Sequence, residues 1–269
     1  MTGIEAREAN SGAGRVSLDV QNPVLLIGLD RAGKRNAFDS NMMLGLAKAL
    51  GDYERNDELR CAVIYAHGEH FTSGLDLMEL TPKLMSGQFS YPDDAIDPWA
   101  TTSHLTKPVI VAVQGACWTA GIELMLTADI ALAANDTRFA HVEVLRGIPP
   151  SGGSTVRFPK VAGWSDAMRY MLTGDEFNAD EALRMKLVSE VLAPEALLDR
   201  ALELAEKIAK AAPLAIKSTL ASARQVATEG ETKALASLNE NLFSFLKTKD
   251  VQEGVMAMMQ KREPNFKGE

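Results

Sequence analysis

Lys107-Pro108-Val109-Ile110-Val111-Ala112-Val113-Gln114-Gly115, continued by Gly121-Ile122-Glu123-Leu124-Met125-Leu126 and Asp129-Ile130-Ala131-Leu132-Ala133-Ala134, is the stretch that decides the fold. Val109–Val113 is an unbroken apolar run of strand length. A small-residue turn over Gln114–Gly121 leads into a helix-like run ending near Ala128, and Ile130–Ala134 reads as a second apolar strand. Strand, turn, helix and strand in that order predict an α/β architecture. Two carboxylates interrupt the apolar setting, Glu123 within the helical run and Glu143 beyond the second strand. A carboxylate among Ile122, Leu124, Met125 and Leu126 carries a desolvation cost that needs a reason.

Toward the N-terminus, Arg15–Val20 and Val24–Leu29 predict a β-hairpin, and Arg31–Asp39 a polar loop. Asp39 or Ser40 can cap a helix whose apolar positions Met43, Leu46, Ala47, Leu50 and Tyr53 follow helical spacing. Arg60–Ala66 is a short β-rich run, His67–Gly74 a loop, and Leu75–Leu80 helical. Thr81–Trp99, rich in Pro, Gly and Asp, predicts a mobile surface loop or lid. Pro149–Arg157 reads as a turn, and almost everything from Ser165 on as helix, with the change to all-helical structure falling around residues 190–205. The polar segment 1–14 is expected to be a disordered lead-in without a signal-peptide core.

Composition narrows the function classes. No run approaches the roughly 18 apolar residues of a membrane span, so no membrane partner is expected. A net charge of −8 without a basic run argues against nucleic acid as the main partner. Cys61 and Cys117 sit in apolar strand-like contexts without metal-type spacing and read as core thiols of a cytoplasmic protein. His67, His70, His104 and His141 are scattered, which predicts no metal site and lining or structural roles for His70 and His141.

Three features can carry chemistry. Phe71-Thr72-Ser73-Gly74-Leu75-Asp76-Leu77 and Gly115-Ala116-Cys117-Trp118-Thr119-Ala120-Gly121 are turns that follow apolar strands and precede helices. Unpaired N–H groups at such helix starts can face negative charge, and two such turns can supply the two donors of an oxyanion hole. The third is the Glu123/Glu143 pair. If the two acids share a pocket, burial and like charge push their proton affinities apart, fitting one as base and one as acid. The alternative is that Glu143 is exposed and Glu123 is paired with Arg138 or Arg146.

These residues, with Arg35-Asn36-Ala37-Phe38, Phe139-Ala140-His141-Val142-Glu143, Leu172-Thr173-Gly174 and Lys261-Arg262-Glu263-Pro264-Asn265-Phe266, resemble the crotonase superfamily, and within it the enoyl-CoA hydratases. The resemblance spans about Val16 to Phe266. It implies an α/β crotonase-like spiral of β-β-α units over residues 15–200 and a helical region over 201–269 that builds a homotrimer or a dimer of trimers. It implies oxyanion donors at the N–H groups of Leu75 and Ala120, and catalytic carboxylates at Glu123 and Glu143. Gly74, Asp76, Leu77 and Met78 would lie along the CoA channel, Arg35 beside the nucleotide, Ser151 in the substrate loop, and Lys261 against CoA, that of a neighbouring subunit included. The expected substrate is an acyl-CoA, with no cofactor beyond the CoA it carries. Both glutamates together favour hydration over the isomerase, hydrolase and non-catalytic CoA-binding branches. The chain departs from the family pattern where Ala120 replaces a usual glycine, Met78 a common lysine, and Ser151 and Ser154 frequent glycines.

Overall fold

The computed structural model describes residues 12–269; the greater part of the expected disordered lead-in lies outside the described residues. Arg15–Gln21 (β1) and Val24–Asp30 (β2) form the expected antiparallel hairpin. Beyond it the sheet is parallel. Cys61–Ala66 (β3), Val109–Val113 (β4), Ile130–Ala134 (β6) and Glu190–Leu192 (β9) add in the order β1-β2-β3-β4-β6-β9. A second, three-stranded sheet joins Ala116–Trp118 (β5), Arg138–Ala140 (β7) and Glu176–Asn178 (β8). From β4 to β7 the chain alternates between the large and the small sheet, which is the spiral that the resemblance implies.

Strands covered on both faces need apolar residues at every position, and β4 is buried throughout. Alternate residues divide between two cores. Leu25, Ile27, Ile64 and Val111 meet Met42, Leu46, Leu50 and Tyr53 of Ser40–Arg55 (α1). On the opposite face Leu26, Val63, Ile110 and Leu132 meet Leu197, Ala201, Ala205 and Ala209 of Pro194–Ala209 (α7). The small side chains of α7 recur every four residues, so the helix lies close to the sheet. Lys107 is buried at the entry to β4 and donates to the carbonyls of Asn56 and Leu59 just past α1; burial lowers its amine to about 8.

Several expectations change in the structure. Leu77–Met85 (α2) starts later than expected because Asp76 caps it, and it carries Thr81 and Pro82 into its body. The proposed lid is therefore helical at its beginning. It is also anchored at its end, where the backbone N–H of Trp99 donates to Asp97 and its buried ring meets Phe38 edge-on. Pro149–Arg157 is a turn only to Gly153, since Ser154–Ala162 forms a helix (α4) ahead of Trp164–Thr173 (α5). Among the described residues every regular element after β9 is a helix: α7, then Pro213–Glu229 (α8), Glu231–Phe245 (α9) and Lys249–Gln260 (α10), after which 261–269 run without helix or strand.

Asp39 does more than cap α1. Its side chain accepts from Met42 N at 2.9 Å and from Gly14 N at 2.6 Å, and Arg31 Nε lies 3.4 Å away. Replacing a capping aspartate by alanine costs about 1 kcal/mol in ordinary helices. Asp39→Ala is expected to exceed that, about 2 kcal/mol or more, because the buried Gly14 N–H also loses its acceptor. Urea denaturation of the two proteins measures the difference.

Candidate active site

Ala120–Met125 forms the short buried helix α3, entered through Thr119. Thr119 has φ 49° and ψ −113°, an unusual conformation for a β-branched residue and one that costs about 1–3 kcal/mol. The strained position is thus Thr119. Ala120 is the first helical residue, where alanine is at ease, so its replacement of glycine leaves the turn unharmed. Gly74 lies opposite, with φ +95°, and a Cβ there would come within 1.8 Å of Thr119 Oγ1. Glycine is therefore required for the two turns to meet. Next to it, the N–H of Leu75 has no protein acceptor among the described residues; the N–H of Ala120, at the start of α3, has none either.

Both of these residues line one cavity of about 440 Å³ together with Glu123 and Glu143, a volume within the range of small-molecule sites. Arg35, Asp76, Leu77, Met78 and Ser151 line the same cavity. Asp76 is held in place by Arg31 at 2.8 Å, and Met78 is largely exposed. Gly74 is not part of this lining, and neither is Lys261, just after α10. A larger cavity of about 880 Å³ shares Arg35 and Trp118 with the first. It contains neither glutamate and neither free amide, so the smaller cavity is the one equipped for chemistry.

The glutamates are buried, Glu123 being 4% and Glu143 6% exposed. Neither is paired with Arg138 or Arg146, and Arg138 instead pairs with Glu176. Glu123 Oε1 accepts from Gly152 N at 2.8 Å and Ser154 N at 3.1 Å. Those amides sit at the N-terminus of α4, where helix geometry favours an anion. Gly152 must lack a side chain, because a Cβ would lie 2.7 Å from Glu123 Oε2 and 2.6 Å from the ring of Trp99. Arg157 braces this loop by donating to the carbonyls of Gly152 at 2.9 Å and Ala100 at 2.8 Å. Burial raises the proton affinity of Glu123. The Ser154 and Gly152 amides oppose that effect without cancelling it, and the nearby Glu143 adds to it.

Glu143 lies just after β7 and faces His141, whose Nδ1 is 3.2 and 3.3 Å from the two carboxylate oxygens. The sequence reading gave His141 no part in this pair. The spacing His141-Val142-Glu143 at a strand end was the available signal, because residues two apart share a side of an extended chain. Trp99 was missed as well; its indole N–H donates to the carbonyl of Ala120 at 2.9 Å and fixes the start of α3 from behind. Among the described residues the buried side-chain polar atoms without partners are Trp118 Nε1, His141 Nε2 and Ser154 Oγ, and all three belong to this region.

Residues 19–269 match the family model described as enoyl-CoA hydratase/isomerase. The chain is 34% identical over 249 residues to the 2,3-dehydroadipyl-CoA hydratase of Escherichia coli strain K12, covering 92% of this chain and 96% of that protein. It is 34% identical over 251 residues to the mitochondrial enoyl-CoA hydratase of Pongo abelii, covering 91% of this chain and 84% of that one. A crystal structure described as a probable enoyl-CoA hydratase/isomerase from Mycobacterium abscessus superposes with a TM-score of 0.92 at 42% identity, over 94% of this chain and 98% of its own.

The raised proton affinity of Glu123 has a definite sign for stability. Its folded carboxyl holds a proton to higher pH than an unfolded one, so stability falls as pH rises from the ordinary carboxylate range through the raised value. Glu123→Gln keeps an acceptor for both amides and sheds the charge. The variant is expected to melt at or above wild type at pH 7, with the gain vanishing below about pH 4. Scanning calorimetry at several pH values measures this, and a lower Tm at pH 7 would mean that the amide cradle outweighs burial.

Proposed function

The chain belongs to the enoyl-CoA hydratase/isomerase family, and on that premise we propose that it adds water reversibly to a 2-enoyl-CoA, giving a 3-hydroxyacyl-CoA. The observation that carries this reading is that two buried carboxylates and two unpaired backbone N–H groups line one cavity. Donors aimed at an enolate oxygen and a carboxylate pair able to hold one water are the two requirements of the addition.

With the thioester oxygen between the amides of Leu75 and Ala120, negative charge developing there meets fixed dipoles. Glu143 gives a proton to Cα while the water hydroxyl joins Cβ on the same face. Glu123 orients that water through Oε2, the oxygen its backbone cradle leaves free. The proton released by water passes to the carboxylate pair, which ends the turnover as it began. The net oxidation level of the substrate is unchanged, so the reaction needs no redox cofactor, and CoA enters only as part of the substrate. Arg35 in the cavity lining suits the phosphates of CoA.

Self-association belongs to the same reading. Leu235, Leu238, Leu242 and Leu246 follow one face of α9 and its end, and each is at least 45% exposed. An apolar stripe of that kind marks a contact surface. A homotrimer, or a pair of trimers, built through this region is expected from light scattering of the eluting protein, and Leu238→Glu with Leu242→Glu is expected to lower the mass to that of one chain.

Incubation with crotonyl-CoA tests the chemistry. Loss of the conjugated thioester absorbance is expected from wild type. It is expected to fall about 10²–10⁴-fold in Glu143→Gln, and by a similar order in Glu123→Gln. Release of free CoA would indicate hydrolysis, migration of the double bond isomerisation, and binding without turnover a non-catalytic role. Unchanged turnover in both variants would remove the two-carboxylate mechanism.

A further inference from the structure

Among the buried polar atoms that the proposed chemistry does not use, His141 stands out. Its side chain is fully buried just after β7, with its ring 5.7 Å from that of Phe158 in α4. Nδ1 reaches both oxygens of Glu143, and Nε2 has no partner. A residue needed only to fill this space would be better as leucine or phenylalanine, which leave no polar atom stranded. The bare Nε2 also decides where the proton sits. A buried N–H without an acceptor is rarer than a buried acceptor without a donor, so the single proton of neutral imidazole belongs on Nδ1, facing Glu143.

We propose that His141 is a positioning residue for the proposed hydration: its Nδ1–H fixes the Glu143 carboxylate at the cavity wall and stabilises its anionic form. The proposal rests on the hydratase reading for its catalytic meaning. The titratable neighbours are Glu143 itself and Glu123 of α3, which is coupled to both His141 and Glu143; Arg157 of α4 interacts with Glu123. His141 faces a site of net negative charge, where a donor to one carboxylate limits the repulsion between the two. In the hydration direction the anion is formed when Glu143 gives its proton to Cα. In the reverse direction the anion is the base that takes that proton back. One hydrogen bond therefore serves both directions.

The test uses 3-hydroxybutyryl-CoA dehydration, in which Glu143 must start ionised. His141→Leu removes the donor, and His141→Asn puts an amide N–H close to the place of Nδ1. The leucine variant is expected to lose about 10- to 100-fold in kcat, with KM little changed and the acidic limb of the pH profile moved to higher pH. Asparagine is expected to restore most of kcat and return the limb. Equal losses in the two variants, or a limb that stays put in His141→Leu, would overturn the proposal. A carboxyl carbon NMR titration of Glu143 in the three proteins reads the same interaction without turnover. A higher midpoint in His141→Leu alone supports the hydrogen bond, and equal midpoints reject it. If wild type leaves both CoA esters untouched, the hydratase reading fails and the titration still decides the His141–Glu143 interaction.

Discussion

The clamp on Glu123 is the constraint around which the site is built. A carboxylate at 4% exposure cannot remain in place on apolar packing alone, because burial penalises its charge by several kcal/mol. Two backbone amides at the N-terminus of α4 offset part of that penalty. Those amides converge only if the chain at Gly152 passes within contact of the carboxylate, which excludes a side chain there. The loop must in turn be braced, and Arg157 does this from the same helix while Trp99 packs beneath. One buried charge thus ties α3, α4 and the segment before β4 into a single unit. Hydrogen bonds of this kind also fix the direction in which Oε2 is presented.

The two amides of the proposed oxyanion hole arise differently. They are free because the geometry of the turns leaves them no intramolecular acceptor. The ladder between the segments of Phe38 and Leu75 consumes Phe38 N and Asp76 N and skips Leu75 N. At Ala120 the helix start has the same effect, and the strained Thr119 sets its direction. The close approach of Gly74 to Thr119 couples the two turns mechanically, so the spacing of the donors is determined before any substrate arrives. Such preorganisation is what makes fixed dipoles effective, since no reorganisation is required as charge develops.

Long, strongly patterned elements were legible in the sequence. The hairpin, α1 with its Asp39 cap, β3, β4, α3 and β6 follow from runs of five or more residues whose period is unambiguous. Elements of three residues were not: β5, β7, β8 and β9 are too short for any period, and their pairing partners are distant in the chain. Helix α4 was hidden because Pro149–Arg157, with Pro149-Pro150 and Gly152-Gly153, read as turn, whereas its first turn is fixed by an interaction with Glu123 that only the folded chain reveals. For the same reason the glutamates were recognisable as anomalies and their partners were not. Propensity reports what a residue costs in a setting, whereas compensation is supplied from elsewhere in the fold.

The partners of the two carboxylates differ in kind, and this bears on the division of labour between them. Glu123 is held by main-chain N–H groups, which cannot give up or take a proton at any ordinary pH. Its geometry is therefore the same whichever step the reaction has reached, as suits a group that orients water. Glu143 is held by a side-chain imidazole, and a hydrogen bond from it strengthens as the carboxylate becomes anionic. A group whose support responds to its own charge suits the acid that alternates between protonated and ionised forms. Two identical side chains in one cavity are thus differentiated by their partners, which favours Glu143 as the principal acid and base and Glu123 as the fixed anchor of the attacking water.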